Sequence, residues 1–308
     1  MALPLTMACT DYEWLEPLVY GEVEPENVDL TVFHEIEHAD QHIRMINGEF
    51  DVAEFSLGTY IAGWPHGWEF TAIPVFPRRF FPHSRVFVNA GAGIEEPADL
   101  EGKRVGIVSF QNTLALWFVG IFVDRYDLDL ESIDWCTYGT QKVPEEVPYE
   151  TTTIDRANLP EQLANGEIDA VVNPRTGPFY PLDENVERLF DDLPAAERDC
   201  YEATGYYPLM HTVVVRNALL EEHPWLGTEL AEVFRRSHDR FAARCNDESL
   251  YPLVWWQHYR EQEQAVFGDI WGRSFSLAPN RDELETMIRY AYDRGLIERR
   301  FQAEEMFA

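Results

Sequence analysis

Two separated segments, 72–89 (AIPVFPRRFFPHSRVFVN) and 204–216 (TGYYPLMHTVVVR), each run an aromatic, strand-like stretch through a proline and a histidine. Such a pair suits the strands that cross between the lobes of a two-lobed α/β protein, and crossings of that kind wall an interlobe cleft where ligands sit. Strand-like runs at 5–9, 28–33 and 52–55 alternate with helix-like runs at 12–20, 39–47 and 57–64. That spacing predicts an α/β sheet with crossover helices. A second unit opens at Glu96-Pro-Ala-Asp and continues through a helix at 113–126, a strand at 133–138, a helix at 159–165 and a strand at 168–172. The Pro- and acid-rich stretch 143–153 reads as an exposed loop. The remainder is mostly helical, at 225–245, 251–267 and 281–294. The expected fold is α/β and two-lobed, with 1–90 and 207–308 forming a discontinuous first lobe and 91–206 the second.

Charge narrows the partners. Acidic residues number 55 against 24 basic ones, a net charge of -31, and the lysines are Lys103 and Lys142 alone. Such a surface repels nucleic acid and anionic membrane. An acid-rich, Lys-poor composition resembles the proteins of salt-loving microbes, so a halophilic source is expected. No run of 18 apolar residues is present, and the N-terminus has neither a basic region nor an apolar signal core. These features read as a cytoplasmic protein with no membrane partner. Cys9, Cys136, Cys200 and Cys245 form no CxxC pair and are expected to be buried or idle thiols.

Several motifs point to one family. Cys9-x-Asp11-Tyr12, Phe50-Asp51-Val52-Ala53-Glu54-Phe55-Ser56, Ala72-Ile-Pro-Val-Phe-Pro-x-Arg79 with His83-Ser84, and Pro208-x-Met210-His211 resemble 4,5-dihydroxyphthalate decarboxylases, as do Gly102-Lys-Arg-Val-Gly and Gly166-Glu-Ile-Asp-Ala. The similarity spans nearly the full chain. It implies a fold like that of type 2 periplasmic binding proteins, a decarboxylase of a hydroxylated aromatic acid in phthalate degradation, and a homo-oligomer. The same fold serves transporter binding proteins, so a substrate-binding protein for an organic acid is the alternative. A pyrimidine-synthase relative lacks support: there is no Cys-rich iron motif, and two lysines leave little choice for a pyridoxal group.

Decarboxylating an aromatic acid requires a carboxylate clamp, an acid near the ring carbon and a group that accepts the phenolic proton. Arg79 and Arg175 are candidate clamps because guanidinium presents two parallel donors; the alternative for each is a salt bridge. His83 and His211 are candidate acid and base, with His211 favoured, and a hydrogen-bonded structural role is the alternative. Glu54 is placed to hold a histidine tautomer or accept a phenolic proton. Ser56 either binds an anion at a helix start or caps that helix. Ser84, Thr113 and Thr212 add hydrogen bonds, while Phe76, Phe80, Trp117 and Tyr207 sandwich the ring or pack the core.

Two metal-binding patterns occur in the sequence. His34-Glu35-Ile36-Glu37-His38 fits H-E-x-x-H, yet His34 follows directly on a strand-like run and no third ligand has suitable spacing downstream, so the helix that zinc binding needs is not expected there. His34, His38 and His42 are instead expected to line a solvated turn and helix face. No cofactor is expected, with a divalent metal on Glu54, His83 and His211, which have two-His-one-carboxylate composition, as the alternative. The family resemblance also implies an acidic residue where this chain has Ser109 and an arginine where it has Val119, which predicts a substrate needing fewer clamps.

Overall fold

The structure, a computed structural model, describes residues 2–144 and 147–308. Glu145 and Glu146, in the expected 143–153 loop, lie outside those residues. Eleven described strands form two sheets: β1 Leu3–Ala8, β2 Val28–Phe33, β3 Val52–Ser56, β4 Phe70–Ile73, β5 Val86–Asn89, β6 Arg104–Ile107, β7 Asp134–Thr137, β8 Thr151–Thr153, β9 Ala170–Val172, β10 Val186–Arg188 and β11 His211–Arg216. The first sheet runs β2-β1-β3-β11-β4 and the second β10-β5-β9-β6-β7-β8. In the first, β1 is parallel to β2 and β3, while β11 lies antiparallel between β3 and β4. Strand β3 is buried at every position, as expected of a central strand covered on both faces.

The segment 72–89 is not one strand. Its prolines, Pro74, Pro77 and Pro82, cannot donate to a ladder, so β4 stops at Ile73 and β5 starts at Val86 after a 3-10 turn at His83–Arg85. The intervening chain is one crossing, and 208–210 is the other. They pair with each other: Phe80 N donates to Pro208 O at 3.2 Å and Met210 N to Arg78 O at 2.9 Å. Because β5 pairs with β9 and β10, the lobe boundary drawn at 90 moves back to before Val86.

Helix Arg281–Asp293 packs on helices Leu57–Gly63 and Thr113–Tyr126, joining the C-terminal part to both lobes. Two glycines permit close approaches in this layer. A Cβ on Gly120 would fall 2.2 Å from the Tyr290 ring, and one on Gly58 2.8 Å from Gln111 O. Among the described residues no helix is long and apolar enough to cross a membrane. All four cysteines are free and buried.

Candidate active site

The antiparallel register of β3 and β11 creates the site. Val213 stands opposite Glu54 and His211 opposite Ser56, so His211 and Glu54 are diagonal neighbours on one sheet face. Glu54 is 1% exposed. Its Oε2 accepts the Thr10 N–H at 2.8 Å, and its Oε1 accepts the Tyr12 hydroxyl at 2.5 Å and a short hydrogen bond from His211 Nδ1. Burial alone would raise this carboxyl, but His211 and these hydrogen bonds outweigh it and hold Glu54 well below the usual carboxylate range. Burial pushes His211 down despite its carboxylate. The pair therefore rests as an ionised Glu54 and a neutral His211 with its proton on Nδ1. Nε2 is the ring nitrogen left for a ligand.

Helix His38–Ile46 brings two more imidazoles to the same spot, because residues four apart share a helix face. The His38 and His42 ring centroids lie 5.2 and 5.4 Å from that of His211. His38 Nε2 lies 2.7 Å from Thr10 Oγ1 and accepts from Arg78 Nη1 at 3.3 Å. Burial, the largest cause, lowers His38 to about 3. Lys142 Nζ donates to His42 Nδ1 at 2.8 Å, and burial lowers the lysine to about 8.

These groups line a cleft of about 670 Å³, open mouth included, to which the second lobe adds Arg156 and Arg175. With Arg78 and Lys142 they make four basic side chains around one cavity of a protein whose net charge is -31. Glu37 at the mouth pairs with Arg156 at 2.9 Å and Arg175 at 3.3 Å. A cleft so lined attracts an anionic ligand.

No family model matches the chain. A curated relative, the 4,5-dihydroxyphthalate decarboxylase of Comamonas testosteroni, is 32% identical over 322 residues, covering 99% of this chain and 96% of the relative. The chain belongs to the 4,5-dihydroxyphthalate decarboxylase family. A second member, from Pseudomonas putida, is 30% identical over 217 residues, 66% of this chain and 83% of its own. Among solved structures, the periplasmic aliphatic sulphonate binding protein SsuA from Escherichia coli superimposes with a TM-score of 0.59 at 12% identity, covering 100% of this chain and 92% of its own. The alkanesulfonate-binding protein SsuA from Xanthomonas axonopodis pv. citri, bound to MOPS, gives 0.59 at 10%, covering 99% and 98%. The fold is that of periplasmic binding proteins, as the sequence motifs implied.

Within this family framework the residues singled out from sequence separate into two groups. His211, Ser56 and Arg175 line the cleft, with Glu54 directly behind His211. Ser56 is also the helix cap: its Oγ accepts Thr59 N at 3.4 Å. Thr113 ties the lobes together, lying 2.9 Å from Ser56 Oγ and accepting Gly58 N at 2.9 Å.

Arg79, His83, Ser84, Trp117 and Tyr207 lie away from the cleft lining. The Arg79 guanidinium is buried and engaged by Ser274 Oγ (2.8 Å), Tyr207 O (2.8 Å), Asn280 Oδ1 (2.5 Å) and Glu283 (3.4 Å). His83 Nε2 meets the Tyr126 hydroxyl at 2.9 Å, its ring packs against Phe122 and Phe190, and burial lowers it to about 4. Ser84 Oγ donates to Phe81 O, and Trp117 Nε1 to Leu209 O. Tyr207 packs on Phe81, Phe267 and Trp271. Thr212 Oγ1 donates to Ile73 O, Phe76 packs on Phe307, and Phe80 lies under Arg78 and Arg85.

His38 and His42 correct the expectation of a solvated face, since His42 is 3% exposed and both rings adjoin His211. Their i, i+4 spacing was the available signal. His34 precedes the helix, which begins at His38, so the H-E-x-x-H run does not sit on one helical face. Arg78 stands at the unassigned position of the Ala72–Arg79 motif, and Lys142 and Arg156 lie in no motif. Ser109 and Val119 are buried and do not themselves line the cleft.

Among the described residues, a carboxylate and two imidazoles placed to meet are those of Glu54, His38 and His211, with His38 in the place expected of His83. His211 Nδ1 is hydrogen-bonded to Glu54, Arg78 donates to His38 Nε2, and His38 Nε2 is 4.0 Å from Glu54. Four neighbouring cations oppose a divalent ion there.

Proposed function

We propose that this chain is a carboxy-lyase that removes carbon dioxide from a hydroxylated aromatic acid of the 4,5-dihydroxyphthalate type. The observation that carries this reading is the buried Glu54–His211 pair at the floor of a cation-lined cleft. Family membership supports the same chemistry. Arg175, with Arg156 and Arg78, holds the substrate's carboxylate groups, and Ser56 supplies a hydrogen bond. His211 Nε2 takes the proton of a ring hydroxyl, which drives electron density toward the carbon bearing the leaving carboxylate. Glu54 balances the imidazolium so formed. The imidazolium then gives its proton to that ring carbon, the carbon–carbon bond breaks as carbon dioxide leaves, and the electron pair of the broken bond restores an aromatic phenolate that takes up a proton from solvent. One proton is consumed overall. Closed lobes keep water out and strengthen each of these contacts.

The reaction uses no metal or organic cofactor. Purified protein incubated with 4,5-dihydroxyphthalate and a panel of hydroxybenzoates is expected to release carbon dioxide, at a rate unchanged by EDTA. Tight binding without product would instead make it an organic-acid binding protein, and a loss of turnover on chelation would overturn the metal-free reading.

The protein works in the cytoplasm of a salt-adapted cell, in phthalate breakdown, and as a homo-oligomer. Its acid-rich, Lys-poor composition supports the salt reading. The run 249–260 supports self-association: it holds no Asp or Glu and exposes Leu253 (59%), Val254 (94%) and Trp255 (63%). Two like-charged copies can meet there with least repulsion. Light scattering across a salt series tests both; a monomer at every concentration, or full stability without salt, counts against the corresponding claim.

A further inference from the structure

Of the two lysines in this chain, Lys103 donates to a backbone carbonyl, Ala92 O, while Lys142 lines the cleft. Lys142 belongs to the second lobe, in the loop after β7, where Gln111 Oε1 accepts its backbone N–H at 2.9 Å. Its ammonium crosses to His42, on a first-lobe helix, and donates to Nδ1. His42 therefore carries its own proton on Nε2, an atom that is buried and has no hydrogen-bond partner. The His42 ring stands 78° to that of His211 with centroids 5.4 Å apart.

We propose that Lys142 is a positioning residue that couples lobe closure to the state of His211, by fixing the His42 tautomer and placing a positive charge beside the histidines only when the lobes meet. This rests on the reading of His211 as the proton-exchanging group. With Lys142 withdrawn, nothing in the cleft fixes which nitrogen of His42 holds the proton. With it in place, an N–H on His42 and a nearby ammonium disfavour the imidazolium form of His211, so the lone pair on Nε2 is ready when substrate is enclosed. A simple carboxylate clamp at Lys142 would act on substrate binding and leave His211 alone.

The charges involved limit what a pH profile can report. Lys142 faces His42 and feels Arg156. His42 faces Lys142, His211, Glu54 and His38, and Arg78 also acts on His211. Of these, burial lowers Lys142 to about 8, so loss of its proton falls on the alkaline side of the profile.

The test compares wild type, Lys142→Met and Lys142→Arg. In Lys142→Met, kcat is expected to fall about tenfold or more, within the range of a general acid–base contribution, and the acid limb of kcat should move to higher pH as His211 becomes easier to protonate. Lys142→Arg should restore the acid limb and lose the alkaline fall near pH 8, because arginine does not titrate there. A variant with raised KM but unmoved limbs overturns the proposal and makes Lys142 a clamp. Nitrogen NMR of histidine-labelled protein decides the tautomer without turnover. His42 should be protonated on Nε2 in wild type and Lys142→Arg, and lose that state in Lys142→Met. An unchanged tautomer in Lys142→Met overturns the proposal even where no acid tried is a substrate, an outcome that would separately sink the decarboxylase reading.

Discussion

Replacing His211 with Gln is expected to lower kcat by about 10²- to 10⁴-fold, the usual worth of a positioned acid–base group, while ligand-induced thermal shift stays near that of wild type. Gln cannot exchange a proton, yet it keeps a donor for Glu54, whose buried carboxylate would otherwise lose a partner at a cost of several kcal/mol. Carbon dioxide release under saturating substrate measures the first quantity and a melting curve the second. Glu54→Gln should give a smaller fall, because the imidazole remains but nothing fixes its tautomer or balances its charge. Its acid limb should move down in pH. The sign follows from the charge removed: ionised Glu54 favours protonated His211, and without it the imidazole stays neutral to more acidic solution. Wild-type turnover in His211→Gln would remove His211 from the reaction.

The lobes and the centre of the site were legible because they depend on local pattern. Alternating runs gave the sheets, and the buried run Val52–Ser56 announced a central strand whose end carries Glu54 and Ser56. His211 opens a β-branched strand, where a titratable residue stands out. What was not legible depends on direction. Arg79 and Arg78 are adjacent and equally basic, yet alternation along an extended crossing sends one into the C-terminal layer and the other into the cleft. His83 looked equivalent to His211 because both lie in crossing segments; a 3-10 turn directs it among the second lobe's aromatics instead. His38 and His42 were visible as a pair one turn apart, but their partner His211 lies 173 and 169 residues further on in the chain, and only the sheet register brings it near. Lys142 and Arg156 come from loops of the other lobe, which no periodicity aims.

Arg79→Met is expected to destabilise the fold by about 3–5 kcal/mol and leave KM nearly unchanged. The guanidinium holds the first crossing at Phe80–Pro208 to the C-terminal layer through four partners, and removing it leaves Glu283 buried and uncompensated. Breaking one partner of a buried pair costs that much, whereas replacing both by apolar groups of similar size is often far less costly. The double variant Arg79→Met/Glu283→Leu should therefore recover part of the loss in a denaturant titration. Glu283 adds a pH signature. Burial, its largest cause, raises it to about 7 even though Arg79 and the Leu209 N–H oppose the shift. A carboxyl whose folded pKa exceeds its unfolded value of about 4.3 binds more protons folded than unfolded between those limits. Its stabilising contribution is full below the lower limit and is lost as pH rises through about 7. Wild type minus Glu283→Gln stability should decline by up to about 4 kcal/mol across that window. A flat difference would mean that Glu283 ionises as readily in the folded protein as in the unfolded chain. A large rise in KM with unchanged stability in Arg79→Met would return Arg79 to the role of carboxylate clamp.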